Sequence, residues 1–150
     1  MTPWGAIIMQ LEKAYRRGEY AAVLRFYLEQ GIPIYDMVSA GNVEGGDFMV
    51  LKPGVAICGY SGERSVEPAV NQIRGWFEAE GWEVMLTDID PFYVHIDLMV
   101  VMLAPKLAAV CLESTDPDVV TWLKSKNIEI ISVPFQDTPV SYTHLRAHET

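Results

Sequence analysis

Two short motifs contain the residues of this chain that are best suited to acid–base chemistry. EGGD occupies residues 44–47 and HID occupies residues 95–97, and each precedes an apolar run with the character of a strand. The chain has three histidines, and two lie in its last eleven residues, so His95 is the only histidine before residue 140. An imidazole close to a carboxylate can accept and release a proton near neutral pH. The sequence therefore predicts an acid–base centre at His95.

The same motifs predict the charge of a substrate. Glu44, Asp47 and Asp97 place three carboxylates at similar points of two similar segments. Carboxylates that are brought together repel each other unless a cation lies between them. A guanidinium ion is a planar cation that donates paired hydrogen bonds to a carboxylate, so a small guanidino or amino compound is the predicted substrate. The alternative interpretation is structural, with EGGD as a turn and HID as the capped start of a strand.

The elements that must position these motifs recur along the chain. The clearest unit covers residues 46–88 and has the pattern of strand, turn, strand, helix and strand, with apolar residues at helical spacing from Val66 to Phe77. A second copy covers residues 96–135, and an earlier, incomplete copy covers residues 5–38. The pattern predicts an α/β fold of repeated ββαβ modules that bury their faces against each other in an array or ring. The alternative is an ordinary α/β sandwich whose segments are similar by accident.

The ends of the predicted helices support the repeat. Gly31, Gly81 and Asn127 are residue types that end helices, and they are 50 and 46 residues apart. Asp116 is a suitable N-cap for the last helix, with Pro117 in its first position.

Composition restricts the classes of partner. The net charge of −9, from 11 basic and 20 acidic residues, argues against nucleic acid and anionic membranes as partners. Apolar runs stay below the roughly 18 residues of a membrane span. Cys58 and Cys111 lie inside apolar runs without metal or disulfide spacing, so we expect reduced core thiols, a cytoplasmic protein, and neither metal nor cofactor.

The arginines outside the motifs allow more than one interpretation. Arg64, in GYSGERS, has the charge to bind a substrate carboxylate, but the residues alone favour surface pairing with Glu63 or Glu67. Arg16 and Arg17 precede a predicted helix and are expected to be solvated.

The order and spacing of RRGEY, GIPI, EGGD, GYSGERS and HID resemble the guanidino-group-modifying branch of the pentein superfamily. That branch includes arginine deiminases, dimethylarginine dimethylaminohydrolases and amidinotransferases, and the resemblance covers residue 2 to about residue 137. It implies an α/β propeller of five ββαβ modules, about three of them within residues 1–139. It also implies a hydrolase that acts on C–N bonds of linear amidines, with arginine or a methylated arginine as the small cationic substrate, and it admits a homo-oligomer.

The resemblance assigns a role to each motif residue. His95 is the catalytic acid and base, Glu44 holds the histidine or the guanidinium, and Asp97 hydrogen-bonds the guanidinium. Asp47 and Arg64 are substrate-binding residues, with Arg64 on the substrate carboxylate. The chain reads GERS around Arg64, where the deiminase pattern is S-E-R-T, so this assignment has the weaker match.

The nucleophile of the family is a cysteine near the C-terminus, which forms a covalent amidino-thioether (thiouronium) intermediate. Neither Cys58 nor Cys111 matches its position, so the cysteine is expected beyond Pro139, and an early aspartate is expected upstream. The fragment by itself is expected to be inactive. The resemblance leaves two alternatives open, an amidinotransferase and a non-catalytic pentein that binds a macromolecule.

The last eleven residues have a different character. VSYTHLRAHET, residues 140–150, resembles a sequencing adapter translated in one frame. We expect this segment to be an artefact and the natural protein to continue past Pro139. His144 and His148 are for that reason excluded as metal ligands.

Overall fold

The computed structural model describes residues 2–137, and in this range three units follow each other along the chain. The first contains β1 (Ala6–Ile8), α1 (Glu19–Glu29) and β2 (Ile34–Met37). The second contains β3 (Phe48–Lys52), β4 (Val55–Tyr60), α2 (Glu67–Ala79) and β5 (Glu83–Asp88). The third contains β6 (Val100–Ala104), β7 (Leu107–Val110), α3 (Pro117–Ser125) and β8 (Glu129–Ser132). The predicted artefact and the expected nucleophile lie outside the described residues.

The second and third units have the same sheet topology. In the order β3-β4-β5 and in the order β6-β7-β8, the first two strands are antiparallel and the last two are parallel. Both hairpins carry a register irregularity at the matching place, between Val50 and Lys52 and between Met102 and Ala104. The first unit has only the parallel pair β1-β2. The mixed α/β fold that the sequence predicts is confirmed. Residues 2–137 form two ββαβ units and one shorter βαβ unit.

The helices end where the sequence predicts. Gly31, Gly81 and Asn127 have φ values of 66°, 80° and 59°, the left-handed geometry that closes a helix. The side chain of Asp116 accepts a hydrogen bond from the backbone N–H of Asp118, so it caps α3 as expected.

In the part of the chain that the structure describes, the core consists of two clusters, each shared by neighbouring units. Alternate residues of β4 point to opposite faces of the sheet, as they must in a strand. Ala56 and Cys58 pack with the buried face of α2, which contributes Ala69, Val70, Ile73 and Phe77. Ile57 faces the other way and packs with Ile96, Val100 and Leu123 of the third unit.

Burial of the helices differs between the units. The four buried residues of α2 and the buried Val119 and Leu123 of α3 anchor these helices on three-stranded sheets. Helix α1 buries no residue in the described part of the chain. No helix between residues 2 and 137 is long and apolar enough to cross a membrane.

Candidate active site

The EGGD and HID motifs have the same backbone geometry in successive units. Gly45–Asp47 form a 3-10 turn before β3, and Ile96–Leu98 form a 3-10 turn before β6. Glu44 and His95 precede these turns in extended conformations, with φ/ψ of −118°/149° and −149°/160°. The two turns contact each other, which brings the polar side chains of both motifs together.

Asp47 is fully buried, and both of its carboxylate oxygens accept hydrogen bonds. Oδ1 accepts from the backbone N–H of Ile96 at 3.0 Å, and Oδ2 accepts from the Ser65 hydroxyl at 2.5 Å. Oδ2 also lies 3.0 Å from Nδ1 of His95. Because a carboxylate only accepts, Nδ1 carries the proton and donates it to this contact. These three donors compensate the loss of water around the buried carboxylate.

Glu44 is the second buried carboxylate, with 4% of its surface exposed. Its Oε2 lies 3.5 Å from Nε2 of His95, so the imidazole is held between Asp47 on one side and Glu44 on the other. Nη1 of Arg64 lies 3.3 Å from both oxygens of Glu44, and Nη1 of Arg16 lies 3.7 Å from Oε2. The site therefore combines an imidazole, two carboxylates and two guanidinium groups.

These neighbours change the acidity of His95. The hydrogen bond to Asp47 is the main cause that raises the pKa of His95 above its ordinary value, while burial acts in the opposite direction. The negative charges of Asp47, Asp97 and Glu44 raise the pKa of His95 further. The imidazole is therefore protonated over a wider pH range than in water, and its Nε2 can present that proton to a ligand.

Glycines allow the motifs to approach each other closely. A Cβ on Gly46 would lie 2.7 Å from Cγ and Cδ2 of the His95 ring, whereas a Cβ on Gly45 would have no atom within 4 Å. A Cβ on Gly59, in β4, would lie 2.9 Å from Cβ of Ile96. The imidazole ring of His95 thus packs directly against the backbone at Gly46.

The structure places the predicted site residues as one group. Glu44 and Asp47 each lie within hydrogen-bonding or ion-pair distance of His95, and the charge of Asp97 acts on His95. Arg64 joins the group through Glu44, so the interpretation of surface pairing with its glutamate neighbours in sequence is wrong.

Two further residues belong to the site. Arg16 was expected to be solvated, but it contacts Glu44 while its Nε and Nη2 bind Glu19 at 3.0 and 3.1 Å. Ser65 is fully buried, and no local pattern distinguishes it from an ordinary loop serine. Its position directly after Arg64, inside a segment that carries the family resemblance, was the one available signal.

The two cysteines lie in the core, as the sequence predicts. Cys58 is buried in β4, and burial is the main cause that raises the pKa of its thiol, followed by the charge of Asp47. Cys111 is also buried, directly after β7. A thiol held in its protonated form is a weak nucleophile. Among residues 2–137, no group of three or more His, Cys, Asp or Glu side chains has the arrangement of a metal site.

A comparison with protein families decides the relationship of the chain. The family described as N,N dimethylarginine dimethylhydrolase, eukaryotic, matches residues 4–144. The chain belongs to this family. The predicted resemblance to guanidino-group-modifying enzymes of the pentein superfamily is confirmed. A comparison with curated protein sequences gave no match.

Solved structures share the fold of this dimethylarginine dimethylhydrolase family member. A dimethylarginine dimethylaminohydrolase from Pseudomonas aeruginosa, complexed with citrulline, is 17% identical with a TM-score of 0.71 over 92% of this chain and 51% of that chain. The N-terminal domain of a cyanobacterial arginine dihydrolase of the ornithine–ammonia cycle, bound to substrate, is 19% identical with a TM-score of 0.75, over 92% and 51%. An amidinotransferase from Microseira wollei, of the saxitoxin biosynthetic pathway, is 16% identical with a TM-score of 0.66, over 86% and 45%. The chain thus spans about half the length of these structures.

Proposed function

We propose that this chain is part of a cysteine-dependent hydrolase of guanidino compounds, acting on a C–N bond of arginine or a methylated arginine. The observation that carries the proposal is the position of His95 between two buried carboxylates, with Nδ1 on Asp47 and Nε2 facing Glu44. Membership of the dimethylarginine dimethylhydrolase family supports the substrate class. Two structures of the same fold bind citrulline and an arginine dihydrolase substrate, which supports the same class.

The carboxylates define the proposed binding of the guanidinium. Glu44 already has a guanidinium group at 3.3 Å from both oxygens, that of Arg64, so its carboxylate can accept hydrogen bonds of this geometry. We propose that Glu44 and Asp97 hydrogen-bond the guanidinium of the substrate, and that Arg64 meets the substrate carboxylate. Asp47 was predicted to bind substrate, but its carboxylate is buried and already accepts three hydrogen bonds from the protein, and we propose that it acts by holding His95.

The proposed reaction uses His95 twice. A cysteine thiolate attacks the guanidinium carbon and forms a C–S bond, and the C–N bond to the departing amine then breaks. His95, protonated through its contact with Asp47, gives the proton to that amine at Nε2. The neutral imidazole next takes a proton from water, whose oxygen attacks the same carbon. The C–S bond breaks, and the thiolate and a ureido product are released.

The nucleophile is proposed to lie outside the printed sequence. Cys58 and Cys111 are buried core residues, and burial keeps the thiol of Cys58 protonated.

The other implications of the resemblance belong to the same proposal. They are a five-module propeller with modules near residues 5–38, 46–88 and 96–135, a cytoplasmic location, and a homo-oligomer.

The test is citrulline formation from arginine and from methylated arginines by the complete gene product. We expect His95→Gln to lower kcat by about 10²–10⁴-fold, the usual contribution of general acid–base catalysis, while the exposed Lys106→Ala leaves it unchanged. Equal turnover of the His95 variant and the parent would refute the role of His95. Turnover that requires an amine acceptor such as glycine would instead indicate an amidinotransferase, and no turnover in the complete protein would indicate a binding protein.

A further inference from the structure

One oxygen of the Asp47 carboxylate, Oδ2, accepts hydrogen bonds from two side chains, the hydroxyl of Ser65 and the imidazole of His95. Oδ2 receives the Ser65 hydroxyl at 2.5 Å and the Nδ1–H of His95 at 3.0 Å, while Oδ1 receives the N–H of Ile96. Ser65 and Asp47 are both fully buried, so water does not compete for these contacts. The orientation of the carboxylate is therefore determined by three groups of the protein.

The Ser65 hydroxyl has a second partner in the same motif. Its Oγ accepts the backbone N–H of Glu44 at 3.1 Å while its hydrogen points to Asp47. One hydroxyl thus connects the first and last residues of EGGD, the two carboxylate positions between which the imidazole lies. Ser65 and His95 both contact the two positions, but Ser65 reaches Glu44 at its backbone N–H and leaves the Glu44 carboxylate to the imidazole.

The structural role of Ser65 in its loop is separable from this contact. The backbone carbonyl of Ser65 accepts hydrogen bonds from the N–H groups of Ser61 and Gly62 at 3.3 and 3.0 Å, which closes the loop after β4. Any residue supplies that carbonyl. The hydroxyl is required only by the contacts with Glu44 and Asp47.

We propose that Ser65 is a positioning residue for His95: its hydroxyl fixes the Asp47 carboxylate and shares the charge of Oδ2 with the imidazole. The inference rests on the proposed function, in which His95 must both hold and release a proton. An imidazolium bound by an unshared, buried carboxylate would release its proton less readily. Ser65 therefore keeps His95 usable as an acid as well as a base.

Other charged groups near His95 also affect its pKa and must be the same in every variant that is compared. They are Glu44 and Asp47 from the EGGD turn and Asp97 from its own turn, with Arg64 and Arg16 behind Glu44. The substitution must leave these groups in place. Ser65→Ala removes a single oxygen atom and creates no new charge. Ser61→Ala is a matched control, because Ser61 lies in the same loop and its hydroxyl accepts the exposed N–H of Glu63 at 3.4 Å rather than contacting the site.

The experiment is an NMR titration of the imidazole of His95 in the 150-residue chain, with its signals assigned by their loss in His95→Gln. In the unsubstituted chain we expect the neutral imidazole to carry its proton on Nδ1. In Ser65→Ala we expect the pKa of His95 to rise by about 0.5 unit or more, because Oδ2 then acts on the imidazole alone. Ser65→Thr keeps a hydroxyl and should restore the parent titration, and Ser61→Ala should not change it.

The outcomes separate positioning from a structural role. Lower thermal stability of Ser65→Ala with a pKa of His95 within about 0.2 unit of the parent, or below it, would overturn the proposal. If Ser65→Ala does not fold, the tautomer of His95 in the unsubstituted chain still tests the proposal. A neutral imidazole protonated on Nε2 would contradict the hydrogen bond from Nδ1 to Asp47 on which the proposal depends. Because the titration needs no substrate, its result is independent of whether the complete protein hydrolyses guanidino compounds.

Discussion

Gly46→Ala tests the contact between the two motifs with a change of one methyl group. The added Cβ would lie 2.7 Å from Cγ and Cδ2 of His95 and 2.9 Å from its Cβ. Carbon atoms in contact are normally about 3.5–4.0 Å apart, so the ring must move by about 1 Å. Such a shift would stretch the 3.0 Å contact between Nδ1 and Asp47 beyond hydrogen-bonding distance.

The magnitude follows from a comparison within the same motif. Overpacking costs about 1–3 kcal/mol, while Gly→Ala at a compatible position stabilises by about 0.4–1 kcal/mol through the unfolded chain. Gly45→Ala has the same stabilising effect through the unfolded chain, but its Cβ would have no atom within 4 Å, so it is a matched control. Neither glycine has a positive φ, so backbone strain does not enter.

We therefore expect Gly46→Ala to be less stable than Gly45→Ala by about 1–3 kcal/mol in urea unfolding. The pKa of His95, measured by NMR, should fall towards its ordinary value in Gly46→Ala only, because the contact with Asp47 is its main cause. Equal unfolding free energies of the two variants, with unchanged titration of His95, would show that the ring does not rest on Gly46.

Three further predictions concern pH, the core and a helix end. The pKa of His95 is raised in the folded state, so protonation of His95 stabilises the fold fully below the unfolded pKa of about 6.5, and this stabilisation is lost as pH rises through the folded pKa. The difference in urea midpoint between the parent and His95→Gln should therefore shrink over that pH interval. A difference that grows with pH would contradict the raised pKa. Ile73 in α2 is 1% exposed, so Ile73→Ala should lower the free energy of unfolding by about 2–5 kcal/mol. Val23→Ala in the exposed α1 should change it by less than about 0.5 kcal/mol. Similar losses of unfolding free energy in both variants would show that α2 is not more deeply packed than α1. Asn127→Ala, at φ 59°, should lose about 1 kcal/mol by thermal unfolding while Asn127→Gly loses none, and equal melting of the two would show that the helix end tolerates other geometries.

The strands and helices could be predicted because their signals are local. The buried residues of α2 recur at helical spacing in the sequence, and Gly81 ends that helix by its own conformational freedom. The resemblance added roles for Glu44 and His95, which the structure places 3.5 Å apart although they are 51 positions apart in the chain.

Other parts of the site could not be predicted because they depend on packing between units. Asp47 was predicted to meet a substrate, but its burial follows from the approach of the loop containing Ser65 and of the turn containing Ile96. The close approach at Gly46 has the same origin, because the His95 ring that lies against it comes from 49 positions away in the chain. Arg16 reaches Glu44 from 28 positions away, and no local pattern marks that pair.

The sharing of core clusters between units has a consequence for how this chain can vary. Ile57 of the second unit packs in the cluster that contains Val100 and Leu123 of the third, while Cys58 beside it packs in the cluster that contains Val38 of the first unit. A substitution on one face of β4 is therefore met by partners that include the preceding unit, and a substitution one position away by partners that include the following unit. Although the repeat is visible as separate copies in the sequence, a copy cannot be exchanged or diverge alone, because its neighbour must change with it.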